Sequence, residues 1–128
     1  MPSRYEPRTF MVEPDRFGVD LDARWNQPAS EDDRYRLMAS YQQHLACIEV
    51  LRLLDERKLT RAWLAEHSRG QATNLRRKLT GEFPALAEDY FAWAVALDTI
   101  MVLPAPSSLA DAMPPFAART PKRARHAG

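Results

Sequence analysis

The segment 59–81 predicts two short helices joined by a tight turn, and this pair constrains what the rest of the chain can build. Thr60 is a preferred N-cap residue, because its hydroxyl can accept a hydrogen bond from a backbone N–H of the first helical turn. An apolar patch at 63–65 follows. Residues 68–70 interrupt the pattern, and Gly70 can adopt a left-handed backbone angle. One helix is therefore expected to end, and a second to begin, at this point.

The second helix, 71–79, has one apolar and one polar face. Leu75 and Leu79 lie four residues apart on the apolar face, and Gly81 is placed to end the helix. The polar face carries amide, hydroxyl and basic groups and no acid: Gln71, Thr73, Asn74, Arg76, Arg77 and Lys78. The DNA major groove admits one helix and is read by such side chains. The alternative interpretation is a helical hairpin whose polar residues face solvent.

Four short motifs occur at fixed spacing in this part of the chain. They are Leu59-Thr60, Leu64-Ala65-Glu66, Leu75 and Leu79-Thr80-Gly81-Glu82. Their pattern resembles the Cro/cI-type (XRE-like, lambda-repressor-like) helix-turn-helix family, and the resemblance covers 45–103. It implies a mainly α, four-to-five-helix domain. The chain departs from the family at 68–70, where an apolar residue, a glycine and an apolar residue are usual, so the start of the second helix is defined to about one residue.

The same resemblance implies that helix 71–79 binds double-stranded DNA. The positions that match the family's base-contacting residues are Ala72, Thr73 and Arg77. Asn74 takes this role if the register shifts by one residue. Arg61 matches a position that contacts phosphate. Further phosphate contacts are expected from Gln71, Arg76, Lys78 and the backbone near Thr80. A bidentate contact from Arg77 to guanine would supply roughly 1–3 kcal/mol of discrimination.

The net charge of +1 conceals an uneven distribution of charge. Residues 57–82 hold seven basic and two acidic side chains, and 119–128 hold four basic and no acidic ones. The segments 1–33 and 83–118 each carry a balance of −4. Because local basic patches set the attraction to phosphate, this distribution favours DNA binding by the helix pair. The basic end either follows a neighbouring phosphate backbone or only solubilises the chain.

Residues 1–29 predict an N-terminal arm or a small β-hairpin. Residues 9–13 are a candidate strand, and 17–22 alternate apolar and polar side chains as a half-buried strand does. Pro14 lies in the turn between them. Since an isolated hairpin is marginal in water, it is expected to pack on the helical core or to pair with a second subunit. A flexible arm is the alternative.

The helical domain, 30–103, begins with a strong start signal. Ser30 can cap a helix whose first three residues are acidic. Apolar residues then recur at three or four residues as far as Arg57, which predicts one helix of about 27 residues or two with a kink near 40–44. The stripe formed by Tyr35, Met38 and Tyr41 is a candidate dimer contact, or is covered by the N-terminal segment.

After Gly81, Pro84 fits the first position of another helix. The apolar face expected to form the main wall of the core comprises Leu86, Tyr90, Phe91, Trp93, Ala94, Val95 and Leu97. The last segment, 104–128, is rich in Pro, Ala and Ser and is expected to be a mostly disordered tail with a basic end.

Nothing in the sequence predicts an enzyme, a cofactor or a metal site. His44 and Cys47 could supply two ligands, but a tetrahedral site needs four. Cys47 is the single cysteine, so no internal disulfide is expected. The first ten residues lack the apolar stretch of a signal peptide, and the longest apolar run, 91–97, is too short for a membrane span. Cytoplasmic localisation is expected.

These patterns predict a sequence-specific DNA-binding transcriptional regulator that reads the major groove as a homodimer. The alternative is a protein–protein interaction module on the same fold. Its partner would be a protein such as RNA polymerase, a toxin or a signalling protein, bound through the acidic N-terminal region or the acidic segment after Gly81.

Overall fold

The computed structural model describes residues 5–68, 72–100 and 114–117 of the 128-residue chain. Within these ranges the chain forms four α-helices, two short 3₁₀ helices and no β-strand. The 3₁₀ helices are Pro7–Phe10 and Pro14–Arg16, and the α-helices are α1 (Glu31–Glu56), α2 (Arg61–His67), α3 (Ala72–Leu79) and α4 (Ala87–Ala96). The mainly α fold is therefore confirmed. In the described part of the chain, no helix has the length and apolar character needed to cross a bilayer.

Helix α1 is a single helix of 26 residues and is the longest helix in the described part of the chain. The Ser30 side chain caps it by accepting a hydrogen bond from the Asp33 N–H at 3.1 Å, as the sequence predicts. Lys58, with a positive φ of 57°, turns the chain away from the helix end. The Leu59 N–H then returns to the Leu54 carbonyl at 2.8 Å. This turn directs the chain into α2.

One hydrophobic core joins all four α-helices and the N-terminal segment. The N-terminal segment contributes Met11, Phe17, Ala23 and Trp25. The helices contribute Leu37, Cys47, Val50, Leu54, Leu64, Ala65, Leu75, Leu79 and Trp93, and the residue after α4 contributes Leu97. Residues 11–25 are thus part of the domain that the helices build.

The predicted N-terminal β-hairpin is wrong. Prolines stand at the start of both 3₁₀ helices, where their fixed φ and missing N–H favour a turn over a ladder. Met11 pairs with Trp25 in an isolated antiparallel bridge, so its partner lies beyond the expected second strand. The stretch 17–22 forms turns, with Gly18 in the left-handed region at φ 74°. The apolar side chain of Val19 is exposed as a result.

Trp25 contacts one residue of the apolar stripe on the first half of α1. Its ring packs edge-on against Tyr41, with 5.5 Å between ring centroids. Met38 is partly buried against the core, whereas Tyr35 is exposed. The chain's own N-terminal segment therefore covers Tyr41, and it leaves Tyr35 exposed.

Residues 114–117 also lie against Trp25. The backbone N–H of Trp25 donates to the Pro115 carbonyl at 2.9 Å, and the backbone N–H of Ala117 donates to the Trp25 carbonyl at 2.8 Å. Disorder was expected for 104–128, and these four residues are an exception. They pair with the backbone N–H and carbonyl of Trp25, and Pro114 is buried. The rest of that tail, including its basic end, lies outside the described residues.

Helix α4 begins at Ala87, three residues after the predicted start at Pro84. Trp93 and Leu97 are buried as expected. Leu86, expected in the core, is instead the N-cap residue of α4 and 59% exposed. Phe91 and Val95, also expected in the core, are 62% and 80% exposed. They occupy the opposite side of a helix that is apolar nearly all round, so periodicity alone does not distinguish its two faces.

Candidate nucleic-acid interface

Helices α2 and α3 pack together through buried leucine side chains. The Thr60 hydroxyl accepts a hydrogen bond from the Trp63 N–H at 3.0 Å and caps α2, as predicted. Leu64 on α2 is buried together with Leu75 and Leu79 on α3. The residues that join the two helices, 69–71, lie outside the described part of the chain, and Gln71 with them.

The outward face of α3 carries polar side chains. Thr73 and Asn74 are exposed, and within the described residues their side chains make no hydrogen bond or ion pair. Arg76 is also exposed, and its guanidinium lies 3.8 Å from a Glu82 carboxylate oxygen. Ala72 is the first residue of α3. Three of the predicted site residues therefore share one solvent-facing surface.

Arg77 lies one helical turn after Thr73 on α3 and packs on an aromatic ring. Its guanidinium carbon is 5.1 Å from the centroid of the Phe83 ring. A guanidinium that stacks through its face keeps its N–H edges available for planar acceptors. Phe83 therefore orients Arg77 without using its hydrogen-bond donors, and the sequence motifs did not indicate this contact.

Lys78 and Thr80, which the sequence predicts as phosphate contacts, bind partners inside the protein instead of facing outward. The Lys78 ammonium lies 2.8 and 2.9 Å from the two carboxylate oxygens of Asp89, and each side chain is only 21% exposed. The Thr80 hydroxyl lies 2.8 Å from a Glu82 carboxylate oxygen, and the Thr80 N–H donates to the Arg76 carbonyl at 3.0 Å. Because these donors have partners inside the protein, we leave both residues out of the interface.

Arg61 is the first residue of α2, and its side chain is exposed. Across the described ranges it forms no ion pair. The phosphate contact predicted for Arg61 stays a prediction, and its exposed charge is available to a ligand.

A buried amide anchors the C-terminal end of α3 to α1. The Gln43 side-chain amide donates to the carbonyls of Lys78 at 2.7 Å and Phe83 at 3.0 Å. Its oxygen accepts from the Ala85 N–H at 2.8 Å. The residue is 2% exposed. The sequence analysis did not identify Gln43. It lies on the buried side of α1, between Leu37 and Val50. A polar residue on an otherwise buried helix face is the signal that could have indicated a buried hydrogen-bonding role.

The turn after α3 is held by the N-terminal segment. Gly81 has φ 80°, and its carbonyl accepts a hydrogen bond from the Arg8 N–H at 3.1 Å. The next residue, Glu82, has a lowered pKa, chiefly because the Thr80 hydroxyl donates to it, and further because of the charges of Arg8, Arg76 and Arg77. The charges of three arginines thus act on one partly exposed carboxylate just after α3.

His44 and Cys47 are both buried in the core. The Nδ1 atom of His44 accepts from the Gly18 N–H at 2.8 Å, and its Nε2 lies 3.0 Å from the Asp20 carbonyl, so the proton resides on Nε2. Burial lowers the pKa of His44, partly offset by Asp20, and burial raises the pKa of the Cys47 thiol. Among the described residues, no group of three or more His, Cys, Asp or Glu is arranged to hold a metal ion.

The outward surface of α3 therefore consists of Thr73, Asn74, Arg76 and Arg77, and Arg61 is an exposed cation at the start of α2. These groups offer hydroxyl, amide and guanidinium donors with Glu82 as a neighbouring acid. No protein-family model, no curated protein and no solved structure matches the chain.

Proposed function

We propose that this protein is a sequence-specific DNA-binding transcriptional regulator with a lambda-repressor-like helix-turn-helix, in which α3 enters the major groove. The observation that carries the proposal is the exposed face of α3, where Thr73 and Asn74 have no side-chain partner among the described residues. Exposed polar groups on a short, firmly packed helix suit a groove that admits one helix.

The side chains divide by the chemistry they offer. Asn74 can donate to and accept from the N7 and N6 positions of adenine, and Thr73 can contact a thymine methyl group. Arg77, oriented by the Phe83 ring, can bind the two acceptors of guanine along one guanidinium edge. Ala72, at the start of α3, belongs to the same base-reading group by the family resemblance.

Arg61 and Arg76 supply the phosphate contacts in this proposal. Arg61 stands at the beginning of α2, and Arg76 is 55% exposed on α3. Phosphate contacts fix the register and orientation of a protein on the duplex, whereas base contacts specify sequence. Gln71 stays a predicted phosphate contact, and its position lies outside the described residues.

We further propose that the protein binds as a homodimer to a pseudo-palindrome. Helix-turn-helix dimers place their recognition helices in major grooves about one helical turn apart, on the order of 34 Å. The bound sequence should therefore show two related half-sites at that spacing.

The test is selection of bound sequences from a random duplex library at low salt, repeated with Thr73→Ala and Asn74→Ala. Asn26→Ala is the matched control, because Asn26 is an exposed amide on the N-terminal segment. We expect an enriched dyad motif with the wild type and the control. Each α3 variant should lose preference at particular base positions only.

Absence of any enriched sequence, with the protein folded, would refute the proposal. The interaction-module alternative would then be preferred, and it predicts protein binding that depends weakly on salt. Phosphate-driven binding weakens steeply with salt.

A further inference from the structure

Arg8 lies beside α3, although it is about 70 residues away in sequence. Its backbone N–H donates to the carbonyl of Gly81 at 3.1 Å, in the turn that ends α3. The approach is so close that a Cβ atom built on Gly81 would lie 2.9 Å from the Cβ of Arg8. The N-terminal segment is thus fixed against the C-terminal end of the proposed recognition helix, and Arg8 is held there by backbone contacts.

The charges of Arg8 and Arg76 both act on the carboxylate of Glu82. The Arg76 guanidinium is 3.8 Å from Glu82, and the charge of Arg8 acts on the same carboxylate. Arg8 also binds Glu6, with its Nε and Nη2 atoms each 3.1 Å from one carboxylate oxygen. A guanidinium has five N–H donors, so this contact leaves others available. The Arg8 side chain is 36% exposed.

We propose that Arg8 and Arg76 form one phosphate-binding pair, through which the N-terminal segment contacts the DNA backbone beside the groove that α3 reads. This inference rests on the proposed function. Phosphates line both edges of the major groove, so a cation fixed at the end of a helix in that groove lies beside the backbone. A duplex is the favoured ligand, because Arg8 contacts the turn that directly follows α3, the helix proposed to read bases.

Glu82 has a defined part in this arrangement. In the free protein its carboxylate accepts from the Thr80 hydroxyl and lies 3.8 Å from the Arg76 guanidinium, and the charge of Arg8 also acts on it. A phosphate bound by this pair would lie near the same carboxylate. Like charges repel, so Glu82 opposes the approach of a phosphate group. Glu82→Gln keeps an oxygen that can accept from Thr80 and removes the charge.

The test is fluorescence anisotropy with a labelled duplex over a series of salt concentrations. The variant is Arg8→Gln, and the control is Arg24→Gln, which removes one cation from the same segment at a residue whose side chain donates to the Phe116 carbonyl at 3.3 Å. At 0.1 M salt, loss of one phosphate contact should weaken binding about eightfold and reduce the slope of log K against log salt by about 0.9. The control should change binding less than twofold.

Glu82→Gln provides a second, opposite readout. We expect it to strengthen binding about two- to threefold, with the enhancement shrinking as salt rises. Circular dichroism of each variant establishes that it is folded. If Glu82→Gln weakens binding, the pair is not a phosphate site and the inference is overturned.

The outcomes separate this inference from the proposed function. Equal affinity and equal salt slope for Arg8→Gln and Arg24→Gln, with wild-type binding intact, would overturn the inference alone. Absence of salt-dependent binding by the folded wild type would overturn the proposed function and the inference together.

Discussion

Replacement of Gln43 by leucine tests whether one buried amide holds α3 in place. The side chain is 2% exposed and makes three hydrogen bonds, two from its amide nitrogen and one to its oxygen. These bonds connect the middle of α1 to the end of α3 and to the segment that leads into α4. Leucine has a similar volume but no hydrogen-bonding group, so Gln43→Leu removes the three bonds with little change in packing.

The cost follows from the number of bonds. A typical intramolecular hydrogen bond contributes about 1 kcal/mol net, so three lost bonds should lower the free energy of unfolding by about 3 kcal/mol. In urea this corresponds to a midpoint lower by roughly 2 M. The thermal midpoint of a domain of this size should fall by on the order of 10 °C.

Urea unfolding followed by tryptophan fluorescence measures this loss. Trp25 and Trp93 are buried in the core and report on its opening. Gln42→Leu is the matched control, because Gln42 is the neighbouring glutamine on α1 and its side chain makes no hydrogen bond within the described residues. A loss for Gln43→Leu within about 0.5 kcal/mol of the control would refute the reasoning, since surface substitutions alone fall in that range.

Three further predictions concern buried positions. Because burial lowers the pKa of His44, the unfolded chain binds a proton there more readily than the folded one, so the free energy of unfolding should fall as pH drops below 6.5, by at most about 1.4 kcal/mol per pH unit. Urea midpoints should show this loss and His44→Gln should flatten it; an unchanged pH dependence in that variant would contradict the reasoning. Gly81→Ala should lower the free energy of unfolding by about 2–5 kcal/mol, because φ at this position is 80° and the alanine Cβ would lie 2.7 Å from the Phe17 ring. A thermal midpoint equal to that of the wild type would contradict this. The Cys47 thiol is buried with a raised pKa, so it should react with a thiol reagent only at the rate of unfolding, and rapid native-state labelling would contradict its placement.

Local signals in the sequence predicted the helical part of the fold well. Ser30 and Thr60 act as N-caps in the structure as their residue types suggest, and the apolar spacing of Leu75 and Leu79 identified the buried side of α3. These features depend on residues within one helical turn of each other. A single chain segment therefore contains the information needed to predict them.

Features that depend on distant residues were not predicted. Met11 pairs with Trp25 because Trp25 is buried against α1, and the alternation in 17–22 gives no sign of this partner. Pro84 does not start α4: Leu86 is extended and is the N-cap residue of the helix, and the Ala85 N–H before it donates to Gln43 on α1. Each outcome is decided by a contact with another element.

The candidate site shows the same division. Exposure of Thr73, Asn74 and Arg76 follows from the helical period of α3, so the sequence predicted it. Lys78 shares the polar face in sequence, yet Asp89 from the start of α4 binds its ammonium. Helical period alone cannot reveal this partner, because it approaches from a different helix.

The most direct test of the central claim is an NMR titration of the ¹⁵N-labelled protein with the duplex that the library selection enriches. We predict that the largest chemical-shift changes occur on α3, including the side-chain amide of Asn74, and that a duplex with scrambled half-sites produces much smaller ones. Exposed residues of α4 such as Phe91 and Val95 should change little. Shifts concentrated on α4, with the amides of α3 unchanged, would contradict the claim that α3 reads DNA.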